Sequence, residues 1–324
     1  MALLELKGVQ VYFDKKGSFL QSERKLHVLK NLDLSIEAGE IIALVGESGC
    51  GKTTTGKVIT SLLKPSAGEV IYQGKPLWKG FRRYRFDNSS IQFIQQDSYA
   101  AFNPVKTIEQ SLRDALRCAD KKMSKKVADA RIRELLDIIG LSPAEQYLYK
   151  YPHNLSGGQR QRLLMARAIA FQPKIIVADE PVSMIDVSLR VSILNLMSKL
   201  NEQFGISFIY ITHDLSTARY IAKNGRICVM YLGQIVEMGS VEQVLSYPQH
   251  PYTRALIMAA PDLNNPENKP LPLKSMELYD LENRTEGCAF RNRCIFECEA
   301  CAHGVQVKTV DGVMVRCNRA GDLE

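Results

Sequence analysis

Apolar and polar positions alternate over residues 3–13 and again over 26–36. This period-two pattern predicts two short strands at an antiparallel edge. The stretch "EIIALVGESGCGKTTTGKVITSLL" then opens on an unbroken apolar run, passes a glycine-rich turn and continues as a helix. From about 107 to 140 the period becomes helical. Val127, Ala130, Ile132, Leu135, Leu136, Ile138 and Ile139 form an apolar stripe between charged faces, and Gly140 closes it. "KIIVADE" and "ISFIYITHD" are two further apolar runs that end in acidic or polar residues. Such runs, separated by helices, predict an α/β fold with a parallel sheet covered by helices. The pattern breaks at "PDLNNPENKPLPLKS". Four of the thirteen prolines lie between Pro261 and Pro272 among asparagines, which predicts an extended linker before a small cysteine-bearing tail.

A chain of 324 residues has room for one large domain or two ordinary ones. Hydrophobic residues at 45% and charged residues at 24% are ordinary for a soluble globular protein. Runs such as "IIALV" and "ALIMAA" fall far short of the ~20 residues that span a bilayer, so no transmembrane segment of its own is expected. The opening "MALLELKGVQ" mixes acidic and basic residues too early for a signal peptide. The expectation is a cytosolic protein whose membrane role runs through a partner. The net charge of +7, from 42 basic and 35 acidic residues, is spread out, and it does not point to nucleic acid.

Candidate chemistry begins at Gly46-Glu47-Ser48-Gly49-Cys50-Gly51-Lys52-Thr53, which fits G-x-x-x-x-G-K-[ST] between a predicted strand and helix. Glycines let backbone N–H groups turn inward around phosphates, and the helix N-terminus favours negative charge. Lys52 is expected to reach the β- and γ-phosphates of a nucleotide, with Thr54 following. Thr53 is expected to offer its hydroxyl to Mg²⁺. Cys50 reads as a small filler. The run "IIVADE" presents Asp179 and Glu180 at a strand tip. Tips of neighbouring strands in a parallel sheet lie beside such a loop. Asp179 is then a candidate Mg²⁺ ligand, and Glu180 a candidate for orienting and deprotonating the attacking water. A second anion site is suggested by Leu155-Ser156-Gly157-Gly158-Gln159, a serine and two glycines at a helix start.

The order of these motifs, with "GGQRQR" continuing the serine–glycine turn, resembles the ABC ATPase family over roughly residues 3–245. The resemblance implies a P-loop NTPase fold with an ABC-type nucleotide-binding domain. An antiparallel β edge and a helical subdomain belong to it, and a small cysteine-bearing C-terminal tail follows. The expected division is an ATP-binding core at 1–96 and 171–245, a helical signature subdomain at 97–170, and an extension at 246–324. In this family the signature, here Ser156 to Gln159, completes the ATP site of an opposite subunit in a head-to-tail dimer. Gln96 resembles the Q-loop glutamine that touches Mg²⁺, with Gln95 its immediate neighbour. Asp186 resembles the D-loop aspartate, preceded by Met184 and Ile185 in place of the usual small residue and leucine. His213 resembles the switch histidine at the γ-phosphate. Phe13, or Tyr12 beside it, is the expected adenine stack.

The segment "VLSYPQHPYTRALIMAAPDL" resembles the extension of oligopeptide and dipeptide import ATPases, a branch that includes nickel importers, and in particular their second ATPase subunit. "VGESGCGKTT", "AAFNP" and "PHNLSGGQRQR" share that likeness. The resemblance implies a heterodimer with a second ABC ATPase, two transmembrane permease subunits and an extracytoplasmic peptide-binding protein, with the chain peripheral on the cytoplasmic face. Residues from Asp97 to Pro104 are the candidate docking surface for a permease coupling helix. Rival readings are a soluble ABC ATPase acting on ribosomes or DNA, an exporter ATPase, and an importer of nickel or another solute.

Five of the eight cysteines, Cys288, Cys294, Cys298, Cys301 and Cys317, fall near the C-terminus. In a reducing cytosol clustered thiols are more often metal ligands than disulfides. Only Cys298 and Cys301 form a C-x-x-C pair. Resemblance to peptide-importer tails implies a [4Fe–4S] cluster on Cys288, Cys294, Cys301 and Cys317, which leaves Cys298 spare. Zinc ranks second and free or paired thiols third. A small tail with few apolar residues gains order from such a staple.

Overall fold

A computed structural model describes residues 2–15, 24–79, 82–83, 89–259, 273–275 and 287–322. The predicted proline linker from Pro261 to Pro272 lies outside them. The chain forms two compact units. One comprises Met1–Glu37, Ile41–Tyr84 and Thr212–Glu324, and the other comprises Ala38–Glu40 and Arg85–Ile211.

In chain order the first unit begins with β1 (Leu4–Lys15), β2 (Arg24–Ile36), β3 (Ile41–Val45), α1 (Lys52–Ile59) and β4 (Ala67–Tyr72). Three two-residue strands follow, β5 (Lys75–Pro76), β6 (Trp78–Lys79) and β7 (Arg82–Arg83). The second unit carries β8 (Ile91–Ile94), α2 (Ile108–Ala119), α3 (Lys125–Ile138), α4 (Gly157–Ile169), β9 (Ile175–Asp179), α5 (Val187–Phe204) and β10 (Ser207–Thr212). The first unit then resumes with α6 (Leu215–Ile221), β11 (Arg226–Tyr231), β12 (Gln234–Ser240), α7 (Val241–Ser246) and α8 (Pro251–Ala259). It ends in α9 (Ala300–His303), β13 (Val307–Val310) and β14 (Val313–Arg316).

The predicted antiparallel pair is present. β1 lies between β2 and β4, with Leu4 opposite Ile36 and Leu6 opposite Leu34. The buried positions of β1 change parity, from Leu4 and Leu6 to Val9 and Val11. Gly8 (φ 55°) sits at that change, where the register shifts, and its N–H donates to Asp33 Oδ1 at 2.7 Å. An inserted residue switches the face that side chains occupy, so one strand keeps its apolar residues inside along its length.

In the same unit β3 runs parallel to β11, and β12, β14 and β13 extend the sheet antiparallel. In the other unit β8, β9 and β10 are parallel neighbours. Ile175 to Asp179 and Ser207 to Thr212 are all buried, as a strand covered on both faces requires. The expected helical stretch of 107–140 divides in two. Thr107 and Gln110 form a capping box for α2, and Ser124 caps α3 by accepting the Val127 N–H. The stripe on α3 is Ala128, Ile132, Leu135 and Leu136; Val127, next to the cap, is exposed.

The C-terminal segment ends in a hairpin that joins the sheet of the first unit. β14 pairs with β12, Glu237 opposite Val315, so the β13–β14 hairpin extends the sheet. No helix among the described residues is long and apolar enough to cross a membrane.

Candidate functional site

In the first unit the chain leaves β3 at Val45 and turns into α1 through Gly46 (φ 153°), Gly49 (φ 81°) and Gly51 (φ 107°). A Cβ on Gly46 would lie 2.2 Å from the Met230 carbonyl oxygen, so side-chain substitution there collides with β11. Gly51 is the N-cap of α1 and supplies no side-chain acceptor, which leaves the first-turn amides available to an anion. Lys52 is 6% exposed, and its Nζ donates to the carbonyls of Gly46 at 2.8 Å and Glu47 at 2.9 Å. The ammonium is thereby held inside the loop and not extended into solvent. Burial pushes the Cys50 thiol up despite the opposing charge of Lys52, in keeping with a small buried filler. Ser48, Gly49 and Thr53 are exposed, and Thr54 is half-buried. A glycine cradle, an uncapped helix start and a buried cation suit a triphosphate.

Two further candidates belong to this unit. The ring of Tyr12 stacks on His27 at 4.1 Å and its hydroxyl donates to Gln10 Oε1 at 2.7 Å. The neighbouring Phe13 is 42% exposed, so of the two aromatics Phe13 has the open ring. His213 is exposed just beyond β10, and Asp214 caps α6 by accepting the N–H groups of Ser216 and Thr217.

In the second unit Asp179 closes β9 and is buried. Glu180 follows in the left-handed region at φ 45°. That conformation costs a non-glycine residue roughly 1–3 kcal/mol and needs surrounding bonds to hold it. Here the Glu180 N–H donates to Ile211 O at 2.9 Å, and the Ser183 hydroxyl donates to Glu180 O at 3.0 Å. Gln96, just past β8, donates from Nε2 to Glu180 Oε2 at 2.9 Å and to Ser183 Oγ at 3.4 Å. Gln96 and Glu180 are therefore brought together. Ser183, absent from the sequence candidates, joins them; its only local signal is a hydroxyl three residues beyond the glutamate.

Ser156 is the N-cap of α4 in a capping box with Gln159. Its Oγ accepts the Gln159 N–H at 3.3 Å, while Gln159 Oε1 accepts the Ser156 N–H at 3.1 Å. Gly158 packs against Leu189, with a Cβ there meeting Leu189 Cδ1 at 3.3 Å. Asp186 starts α5 without a side-chain cap bond.

Two arginines of α4 carry no such signal in the sequence. Buried Arg160 donates to the carbonyls of Leu155 and Pro152 and lies 3.6 Å over the Tyr99 ring. Arg167 donates to Ala101 O and sits 5.0 Å from the Phe102 ring. They fasten residues 99–102 to the signature helix.

The metal-cluster expectation for the cysteines is corrected. Among the described residues no group of three or more His, Cys, Asp or Glu side chains is arranged to hold a metal ion. Neither a [4Fe–4S] cluster nor zinc on Cys288, Cys294, Cys301 and Cys317 is supported. Burial pushes the thiols up, to about 11 for Cys288 and about 12 for Cys294, and raises Cys301 and Cys317 as well. Protonated and buried, such thiols pack as small, weakly polar groups. Cys301 Sγ lies 3.6 Å from Cys298 Sγ, the sulfur outside the expected tetrad. The segment gains its order from sheet pairing and from Phe290, 2% exposed and edge-on to Tyr231 at 5.3 Å.

The HPYT turn is locked by a buried carboxylate. Glu237, fully buried in β12, accepts the N–H groups of Gln249 at 2.7 Å and His250 at 2.9 Å. His250 Nδ1 accepts the Tyr252 N–H at 3.0 Å, which caps the start of α8 ahead of Pro251. Burial pulls the His250 imidazole down to about 3. The unfolded chain, with an ordinary value near 6.5, then binds the extra proton. The stabilisation from neutral His250 is complete above about pH 6.5 and is lost as pH falls toward 3, by up to about 1.4 kcal/mol per unit. Buried Glu237 is raised by desolvation, so its contribution runs the other way: present at low pH and lost as pH rises through its folded value. Comparing wild type with His250→Asn isolates the histidine, because asparagine keeps a cap acceptor without a titrating group. Between pH 7 and pH 5 the urea midpoint should fall more steeply for wild type than for the variant. Equal falls would contradict the assignment.

These two sets of residues, a glycine-cradled phosphate loop in one unit and a glutamine–glutamate pair together with a serine–glycine helix start in the other, define an ABC-type ATPase. The ABC transporter family profile matches residues 29–183, and the profile of the oligopeptide/dipeptide transporter C-terminal region matches 236–301. The chain is 36% identical to the dipeptide transport ATP-binding protein DppF of Haemophilus influenzae, over 97% of this chain and 96% of that one. It is 39% identical to the oligopeptide transport ATP-binding protein OppF of Escherichia coli, over 93% and 90%. Among solved structures it superposes on the ATP-binding cassette MJ0796, a post-hydrolysis dimer bound to ADP and Pi. The TM-score is 0.63 and the identity 30%, covering 74% of this chain and 98% of that one. The chain belongs to the ABC transporter ATP-binding subunits of the oligopeptide/dipeptide transporter family.

Proposed function

We propose that the chain hydrolyses ATP to energise import of dipeptides or oligopeptides through a membrane ABC transporter. Near-full-length likeness to dipeptide and oligopeptide transport ATP-binding proteins carries this reading. Ribosomal, DNA-repair and exporter roles, and nickel import, lack that support. The loop from Gly46 to Gly51 holds the phosphate oxygens on the amides of Ser48, Gly49 and Gly51, with Lys52, Thr53 and Thr54, while the amides of Glu47 and Cys50 are bonded within the protein. Phe13 stacks on adenine. Glu180 orients a water and accepts its proton as the water oxygen bonds to the γ-phosphorus. The bond from that phosphorus to the β–γ bridging oxygen breaks, and ADP and phosphate leave. Gln96, hydrogen-bonded to Glu180, sets the position of that carboxylate, and His213 contacts the γ-phosphate. Thr53, Gln96 and Asp179 would hold Mg²⁺, which neutralises charge on the phosphate oxygens.

Ser156, Gly157, Gly158, Gln159 and Asp186 serve the nucleotide of a second ATPase subunit in a heterodimer. Exposed Met184 (62%), Val187 (73%) and Val191 (47%) beside Asp186 support a surface covered in that assembly. Residues Asp97 to Pro104, fastened by Arg160 and Arg167 and presenting exposed Tyr99, receive a permease coupling helix. Two permease subunits and an extracytoplasmic peptide-binding protein complete the system, and this chain is peripheral on the cytoplasmic face. The test is isolation of the tagged chain from mildly solubilised membranes of its own cells. Two polytopic proteins and a second ATPase should come with it; recovery of the chain alone would contradict the assembly.

A further inference from the structure

The hydrolytic roles above leave unexplained what lies behind Glu47, the second residue of the phosphate loop. Its carboxylate accepts two hydrogen bonds from Arg293, Nη1 to Oε2 at 3.0 Å and Nη2 to Oε1 at 3.1 Å. Its N–H donates to Tyr252 Oη at 2.9 Å. Both partners lie in the C-terminal extension, more than 200 residues further along, as the separations of 246 and 205 show. They are built in firmly. Arg293 is 7% exposed and Tyr252 1%. Tyr252 packs 4.6 Å from Tyr231 and 5.5 Å from Phe290, and the Arg293 guanidinium lies 5.7 Å from Phe290 and 5.9 Å from Tyr231. Burial opposes the guanidinium's charge, yet the hydrogen bonds to Glu47 and Tyr231 and the charge of Glu47 outweigh it and hold Arg293 firmly protonated.

A carboxylate inside a loop built for phosphates is an electrostatic problem. Like charges about 4 Å apart repel by roughly 1 kcal/mol in water and about 4 kcal/mol at an effective dielectric of 20. A bidentate guanidinium cancels that charge and fixes the carboxylate's direction. The hydroxyl of Tyr252 satisfies the Glu47 amide and fixes the backbone of the loop at the same residue.

We infer that Arg293 and Tyr252 are positioning residues for the phosphate loop, through which the C-terminal extension sets affinity for ATP. Arg293 screens Glu47 from the triphosphate, and Tyr252 anchors the Glu47 amide. The inference rests on residues 46–53 being the phosphate-binding loop.

The experiment measures KM for ATP and kcat on the chain assembled with its partner ATPase and permease subunits, and equilibrium ATP binding and thermal midpoint on the full chain. It compares wild type, Arg293→Met, Arg293→Lys, Tyr252→Phe, Glu47→Gln, Glu47→Gln/Arg293→Met and Lys52→Ala. Arg293→Met should raise KM about tenfold with kcat altered less than about twofold, and Arg293→Lys should recover part of the loss because it keeps the charge. Tyr252→Phe, which preserves the ring packing, should raise KM by roughly 3- to 10-fold. In the Glu47→Gln background Arg293→Met should have no further effect on KM, since no charge is left to screen. A purely structural arginine would lower the thermal midpoint and act equally in both backgrounds, and that result overturns the inference. So does an unchanged KM in Arg293→Met or Tyr252→Phe while Lys52→Ala loses ATP binding. Unaltered ATP binding in Lys52→Ala would overturn the phosphate-loop reading itself, and the inference with it.

Discussion

Glu180→Gln should retain ATP binding and lose turnover by roughly 10²- to 10⁴-fold, the usual contribution of a general base. The amide keeps the size of the carboxylate and its place beside Gln96, whose Nε2 lies 2.9 Å from Glu180 Oε2 in the wild-type chain, but it cannot accept a proton from water. The left-handed backbone at Glu180, φ 45°, strengthens the prediction. Such a conformation places a side chain at cost, and the bonds to Ile211 O and from Ser183 hold it there. Single-turnover hydrolysis and nucleotide binding on the same sample separate the two effects. The variant should accumulate the ATP-bound dimer. Near-normal hydrolysis would remove Glu180 from its role.

Gly46→Ala should abolish high-affinity ATP binding while leaving β3 and α1 in place. The backbone there has φ 153°, and an added methyl would sit 2.2 Å from the Met230 carbonyl oxygen. No rotating side chain can absorb that collision. The loop backbone must shift, and the amides that converge on phosphate shift with it. A loss of 1.4 kcal/mol is a factor of ten, so displacement of two or three such amides should weaken binding by roughly 100-fold or more. Gly49→Ala is the informative comparison. Gly49 has φ 81° but open space around a Cβ, so its effect reports backbone strain without collision. Calorimetric titration with ATP checks both. Equal, mild effects at the two positions would contradict the steric argument.

Much of this architecture is legible in the sequence because local pattern and tertiary role agree. The alternation of β1 and β2, the buried run of β3 and the glycine spacing of 46–51 each state their environment within a few residues. Other features depend on partners far along the chain. β12 reads "QIVEMGS", with a glutamate where an apolar residue belongs; its reason is a pair of amides at 249 and 250. β13 and β14 are four residues each, too short to announce a place in the sheet. The break between α2 and α3 hinges on Ser124, one hydroxyl among many that cap nothing.

The candidate site divides the same way. Glycines, Lys52 and the acidic pair at 179–180 are visible as residue types in order. The strained backbone of Glu180, the hydroxyl of Ser183 and the arginines beneath Tyr99 and Phe102 emerge only in three dimensions. The cysteines show the opposite error. Their closeness in sequence suggests a metal site; the thiols do neighbour one another, and Cys294, Cys301 and Cys317 are buried, but no group of three or more metal-ligating side chains is arranged for an ion among the described residues.

If ATP hydrolysis at Glu180 drives peptide import, uptake by living cells is its most direct test. Cells in which the chromosomal gene is replaced by the Glu180→Gln form would be compared with wild type for accumulation of a radiolabelled dipeptide and a labelled pentapeptide. The chain's abundance would be matched by immunoblot. The expected result is loss of energised uptake of at least one of the two peptides, restored by the wild-type gene. Undiminished uptake of both, with the variant protein present and inactive as an ATPase, would contradict it.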